Sequence, residues 1–277
     1  MTTSPFVSLF GSLEIGMALG MFLSGMIMLQ VWSYFRNYSS DRLELRCLVG
    51  VIQFVDILHS ICLIHMVYTY TIIHFGDSEG SDIVVWSLKA TAMILGINIA
   101  IVHAFFLLRM YTLTKSIVLV LITAALAVTR LVICVFQMVT LFRATNLDFI
   151  HGPTFRWEVS TLDTVGAASD VLVAASICWA LLHMRRGLPK SNKLIDRLVA
   201  FTVGVLETVL YLSFRGYVFA LFAGILGKLF SVSLLTSLNE RQNNLRQLDA
   251  TTLGGPLSVT IEMSLYVEEP HDKSPQL

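Results

Sequence analysis

Apolar residues in this chain neither alternate nor keep to one stripe; they run on. Seven such runs follow one another: about Gly11 to Phe35, Cys47 to Ile73, Ile83 to Leu108, Ser116 to Phe142, Leu162 to Met184, Leu198 to Phe214 and Tyr217 to Leu238. A helix that crosses a bilayer needs roughly 20 mostly apolar residues. Lipid offers no partner to an unpaired peptide group, so each run must be helical. The pattern predicts an all-α integral membrane bundle of seven transmembrane helices over residues 1–246, with a flexible tail over 247–277. The sixth run is short. At 1.5 Å per residue it covers roughly 25 Å, a little under a typical hydrocarbon core. One re-entrant element there would give six spans; the basic residues before Leu198 and Arg241 beyond Leu238 favour two crossings.

The polar punctuation gives an orientation. Arg36, Arg42 and Arg46 follow the first run, Arg109 and Lys115 the third, Arg185, Arg186, Lys190, Lys193 and Arg197 the fifth, and Arg241 and Arg246 the seventh. The connection after the second run carries only Asp77, Glu79 and Asp82. The opposite side holds just Arg143, Arg156 and Arg215. The positive-inside rule then places the N-terminus outside and the C-terminus in the cytoplasm. No basic stretch precedes the first run, so a cleaved leader is not expected. The Asn37-Tyr38-Ser39 sequon would face the cytoplasm and stay unmodified. Cys47, Cys62, Cys134 and Cys178 all fall within runs and are expected as buried free thiols.

Composition agrees. The chain has 277 residues, 55% hydrophobic and only 14% charged, with mean hydropathy +0.73; soluble domains are about 25% charged. The formal net charge is zero, which gives a nucleic-acid partner no support. The lipid bilayer is the partner the composition requires. Plasma membrane and endomembrane are not distinguished.

Several short motifs carry a family resemblance. They are Gly16, Gly25, Gln30, Tyr34-Phe35, Asp41, Asp56, His59, Phe75-Gly76-Asp77, Trp86-Ser87, Arg109-Met110-Tyr111, Asp170 and Arg197. The most specific is Ser233-Leu234-Leu235 followed by Ser237-Leu238-Asn239-Glu240-Arg241. In order and spacing the chain resembles seven-span membrane proteins of basidiomycete fungi whose second half, about residues 162–242 here, is catalogued as domain of unknown function 6534. The resemblance covers about residues 11–246 and implies the architecture; it implies no activity. The chain departs from the pattern around Glu207 to Arg215, where members carry a longer sixth span and outer loop.

Ionisable residues inside the bilayer are the candidate chemistry, because one Asp, Lys or Arg at the centre costs about 2.5–3.5 kcal/mol on insertion scales. Asp56, Glu207 and Lys228 fall at similar mid-depth. Lys228 can neutralise either acid, and the Asp56–Lys228 pair is favoured. His59 shares the Asp56 face. Arg130 and Asp170 fall at comparable depth nearer the outside, and Asp163 lies on the Asp170 face. Such pairs are either glue that fixes helix order or the lining of a polar cavity for an ion, proton or ligand. Lys89 reads as a snorkelling lysine. Gly16, Gly20 and Ser24, four apart, allow close helix contact within the bundle. His59 and His65 do not share a face, so no metal site is expected, and no cofactor is implied.

No His-Glu-x-x-His, Gly-x-Ser-x-Gly or phosphate-cradling glycine loop occurs, so the chain does not read as an enzyme. Two readings stay open. One is a receptor-like or sensor protein, with a small extracellular ligand at the polar cluster and a cytoplasmic protein at Arg185–Arg197. The Asp-Arg-Tyr and Asn-Pro-x-x-Tyr signatures of G-protein-coupled receptors are missing, and the surroundings of Lys228 do not suit retinal. The other is a small secondary transporter or channel using the same charges, although no inverted repeat or broken helix is evident. In the tail, Leu257 to Val267 alternates with a strand period, which could add to a partner's sheet edge, although Gly254, Gly255, Pro256 and Pro270 around it favour a flexible segment.

Overall fold

The computed structural model describes residues 5–77, 80–147, 152–184 and 224–239. Its helices are α1 (Pro5–Asn37), α2 (Leu43–Tyr68), α3 (Trp86–Thr114), α4 (Ile117–Arg143) and α5 (Pro153–Met184), with α6 (Gly224–Asn239) the last described. No strand occurs among the described residues. The segments Phe10–Asn37, Leu43–Ile73, Trp86–Thr112 and Ile117–Arg143 are long and apolar enough to cross a membrane. They mark a membrane-embedded protein. The sixth run, Leu198 to Phe214, and the tail lie outside the described residues.

The short connections make neighbours of consecutive helices. After α3 the chain turns through Lys115 and Ser116. Lys115 adopts a left-handed φ of 51° and its N–H returns to the Tyr111 carbonyl at 2.9 Å, which closes the helix end. Between α1 and α2 the Tyr34 hydroxyl donates to Asp41 Oδ2 at 2.8 Å. Helices α1–α2, α2–α3, α3–α4, α4–α5 and α3–α5 pack together.

Burial is inverted relative to a water-soluble protein. Phe22, Met28, Leu29, Trp32, Phe54 and Phe136 are exposed, whereas Asp56, Arg130 and Lys228 are buried. A helix surrounded by hydrocarbon gains nothing by hiding leucine and loses much by exposing charge. Two apolar clusters cap the polar middle. Tyr34, Ile52, Val102, Met110, Leu234 and Leu235 pack at the end of the α1–α2 turn. Leu13, Leu63, Met66, Tyr70, Leu141 and Leu147 pack at the other end.

Helix ends depart from the hydropathy reading where polar contacts extend or stop a helix. α5 begins at Pro153, well before Leu162. A proline suits a first helical turn, and Glu158 in that added stretch accepts from Thr140 Oγ1 at 2.8 Å. α3 begins at Trp86 instead of Ile83, because Ile83 forms an antiparallel bridge with Asn146. α2 finishes in a π-helical turn, Thr69–Ile73. Cys62 is buried as expected, whereas Cys47 is exposed on the apolar surface of α2; both are free, as is Cys134.

Candidate functional site

Among the described residues, two polar clusters sit inside the bundle. The first joins α6 to α1 and α2. Lys228 Nζ donates to Asp56 Oδ1 at 2.8 Å, Ser24 Oγ at 2.6 Å and Ser60 Oγ at 2.8 Å. An ammonium has three N–H donors, and all three are satisfied. Ser60 donates its own proton to the Asp56 carbonyl at 2.8 Å. The 3.1 Å contact between Ser24 and Ser60 is therefore donated by Ser24. Lys228 is 1% exposed and Asp56 2%. Such closeness needs the glycines. A Cβ on Gly20 would lie 2.9 Å from the Gly224 carbonyl oxygen and 3.3 Å from Lys228 Cε, and one on Gly224 would lie 3.1 Å from the Gly16 oxygen. The Gly16–Gly20–Ser24 row thus packs inside the bundle, against α6. His59 is buried beside the pair; its Nε2 and Asp56 Oδ2 have no hydrogen-bond partner among the described residues.

Asn98 of α3 adds a third anchor for α6. Its Nδ2 reaches the Gly227 carbonyl at 3.0 Å and Ser231 Oγ at 2.9 Å. At the end of the helix, Tyr38 donates to the Asn239 carbonyl at 2.9 Å, and Asn239 Nδ2 to the Gln30 carbonyl at 2.9 Å.

The second cluster joins α3, α4 and α5. His103 Nε2 lies 2.9 Å from Asp170 Oδ1 and 3.3 Å from Arg130 Nη1. One ring nitrogen cannot donate to a carboxylate and accept from a guanidinium at once. The shorter contact, to a charged acceptor, decides: Nε2–H donates to Asp170. Arg130 then rests beside the imidazole without a hydrogen bond to it. Its guanidinium lies over Gly166, where a Cβ would stand 2.7 Å from Cζ. Asp163 faces the same region, and its buried Oδ2 has no partner among the described residues.

A cavity of about 390 Å³ opens beside this second cluster. It lies toward the end that carries the α2–α3 and α4–α5 connections. Phe10, Leu63, Met66, Leu107, Met138 and Leu162 give it an apolar lining, and Arg130, His103 and Asp163 supply polar groups. Small-molecule sites share this size and this balance of apolar wall and few polar groups.

The comparisons with known proteins add one match, over part of the chain. Residues 166–243 match a family described as a family of unknown function, DUF6534. The match includes the later part of α5 and all of α6, and so carries Asp170 and Lys228. It coincides with the stretch on which the resemblance placed that domain. No curated protein and no solved structure shows detectable similarity to the chain.

Asp56, His59 and Lys228 are therefore brought together, and Arg130 and Asp170 meet through His103. Glu207, Arg185, Arg186, Lys190, Lys193 and Arg197 lie outside the described residues. Lys89 does not simply snorkel. Its Nζ donates to the Phe142 and Ala144 carbonyls at 3.1 and 3.2 Å, where the end of α4 leaves carbonyls unpaired. Hydropathy missed His103 and Asn98, because an uncharged polar residue barely interrupts an apolar run. Their signal was simply a polar side chain at mid-span.

Proposed function

We propose that this protein is a receptor-like or sensor membrane protein, not an enzyme, that takes a small ligand into the cavity beside Arg130. The observation that carries the reading is the cavity itself: a ligand-sized apolar space with a buried guanidinium on its wall. The apolar runs and the resemblance to basidiomycete seven-span proteins support seven spans. The distribution of Lys and Arg supports an outward-facing cavity end and a cytoplasmic Arg185–Arg197 loop suited to a protein partner. The transporter or channel alternative through Asp56, Glu207 and Lys228 draws less support, because every Lys228 donor is engaged.

The test is a ligand screen by thermal stability on the protein in lipid nanodiscs, repeated on Ala127→Leu, which fills the cavity. The reading expects compounds that stabilise the parent and fail on the variant. Compounds that stabilise both equally would contradict it.

A further inference from the structure

The cavity owes its volume to small side chains. Gly96, Ala100 and Ala104 follow at four-residue spacing along α3, and Ala124 and Ala127 line it from α4. Such a space suits an apolar body better than water, which needs two to four polar partners.

At the end of the cavity that carries the α2–α3 and α4–α5 connections, the described segments are tied together. Val84 N–H donates to the Thr145 carbonyl at 2.9 Å, beside the Ile83–Asn146 bridge. The Tyr70 hydroxyl, on the π turn, donates to the Ile83 carbonyl at 2.9 Å and accepts from Val85 N–H at 3.2 Å. Lys89 binds the carbonyls at the end of α4 from beneath. Tyr70 stacks on Phe10 at 5.4 Å, and both rings line the cavity, as does the buried Leu147.

The flank is different. Val128 and Leu131 line the cavity yet are 59% and 47% exposed. They belong to α4, whose span is the most apolar and the least buried of the four. Among the described residues, the cavity therefore runs out to the exposed apolar side of α4.

Arg130 supplies the recognition. It is 7% exposed. With His103 Nε2–H committed to Asp170, no acceptor oxygen within hydrogen-bond distance of the guanidinium is found among the described residues. Asp163, on the same cavity wall, acts on the guanidinium through space without a hydrogen bond to it among the described residues, so the N–H groups still favour an oxygen acceptor from outside.

The geometry points to a membrane-dissolved amphiphile as the ligand: an apolar body along the Gly96–Ala104 row, an acceptor oxygen at Arg130, and entry from the bilayer beside α4. This rests on the cavity being the ligand site.

The experiment uses two fluorescent probes on the full chain in nanodiscs, read by energy transfer from the protein's tryptophans. cis-Parinaric acid is a chain with an oxygen head; diphenylhexatriene is an apolar rod without oxygen. Both are expected to bind saturably and to weaken at least tenfold in Ala127→Leu. Arg130→Gln is expected to weaken parinaric acid at least tenfold and leave diphenylhexatriene within twofold. Equal parinaric affinity in Arg130→Gln and parent would overturn the head-group assignment while the cavity reading stands. Saturable binding of neither probe, or binding unmoved by Ala127→Leu, would overturn both. The route is tested with an Ile83→Cys, Asn146→Cys pair, since directly opposed antiparallel residues approach closely enough for a disulfide. Oxidation is expected to leave parinaric binding rates unchanged. A block on oxidation that reduction relieves would overturn entry from the bilayer.

Discussion

Lys228 Nζ stands 2.8 Å from Asp56 Oδ1, with two serine hydroxyls completing its shell. The pair links the last described helix to the second, and it sits where an uncompensated charge would be most costly. Removing one partner of a buried pair typically costs about 3–5 kcal/mol. Asp56→Asn and Lys228→Met should each lose stability on that scale, and the double variant should recover most of it. Unfolding in detergent checks this. A double variant no better than the sum of the singles would show that the charges do not stabilise one another.

Gly20 makes a sharper test of the α1–α6 contact. Its Cβ would meet a backbone oxygen at 2.9 Å, whereas Gly25 has nothing within 4 Å. Gly20→Ala should therefore cost about 1–3 kcal/mol through forced separation of the helices. Gly25→Ala should be neutral or stabilising by up to about 1 kcal/mol, the helix preference of alanine over glycine. Similar melting points for the two would contradict the packing.

Gly166 gives room to the Arg130 guanidinium. Gly166→Ala should displace that group and weaken binding of an oxygen-headed probe several-fold. Affinity for an oxygen-free apolar probe should hold. Equal loss of both would mean that the cavity itself had collapsed.

Lys89 ties α3 to the carbonyls at the end of α4. A hydrogen bond to a charged group contributes about 1.5–3 kcal/mol. Lys89→Met should loosen the connection after α4, seen as faster amide exchange over residues 143–147. Unchanged exchange there would show that the tie carries no load.

The four spans between Phe10 and Arg143 were legible because lipid leaves a peptide chain so few options, and α4 follows its hydropathy run almost residue for residue. The Asp56–Lys228 pair was legible for a related reason: two opposite charges at one depth of a bilayer have to find each other. The centre that lines the cavity was only half legible. Arg130 and Asp170 announced themselves by charge, but the imidazole between them did not. His103 sits in an otherwise apolar run, and only the crossing of α3, α4 and α5 brings it to both partners. The start of α5 was hidden because Pro153–Thr161 is too polar to read as a span, yet Glu158 is fixed by Thr140 of α4. The cavity could not be read at all, since alanines on α3 and α4 look alike whether they pack tightly or leave a space.

Behind these tests stands the proposed division of labour, in which the Lys228 cluster holds the bundle and the Arg130 cluster meets the ligand. One comparison addresses it directly. The thermal shift produced by cis-parinaric acid is measured on the parent, on the Asp56→Asn, Lys228→Met double variant and on Arg130→Gln. The shift should persist in the double variant and vanish in Arg130→Gln. A shift lost in the double variant and retained in Arg130→Gln would place the ligand at Lys228 and contradict the account.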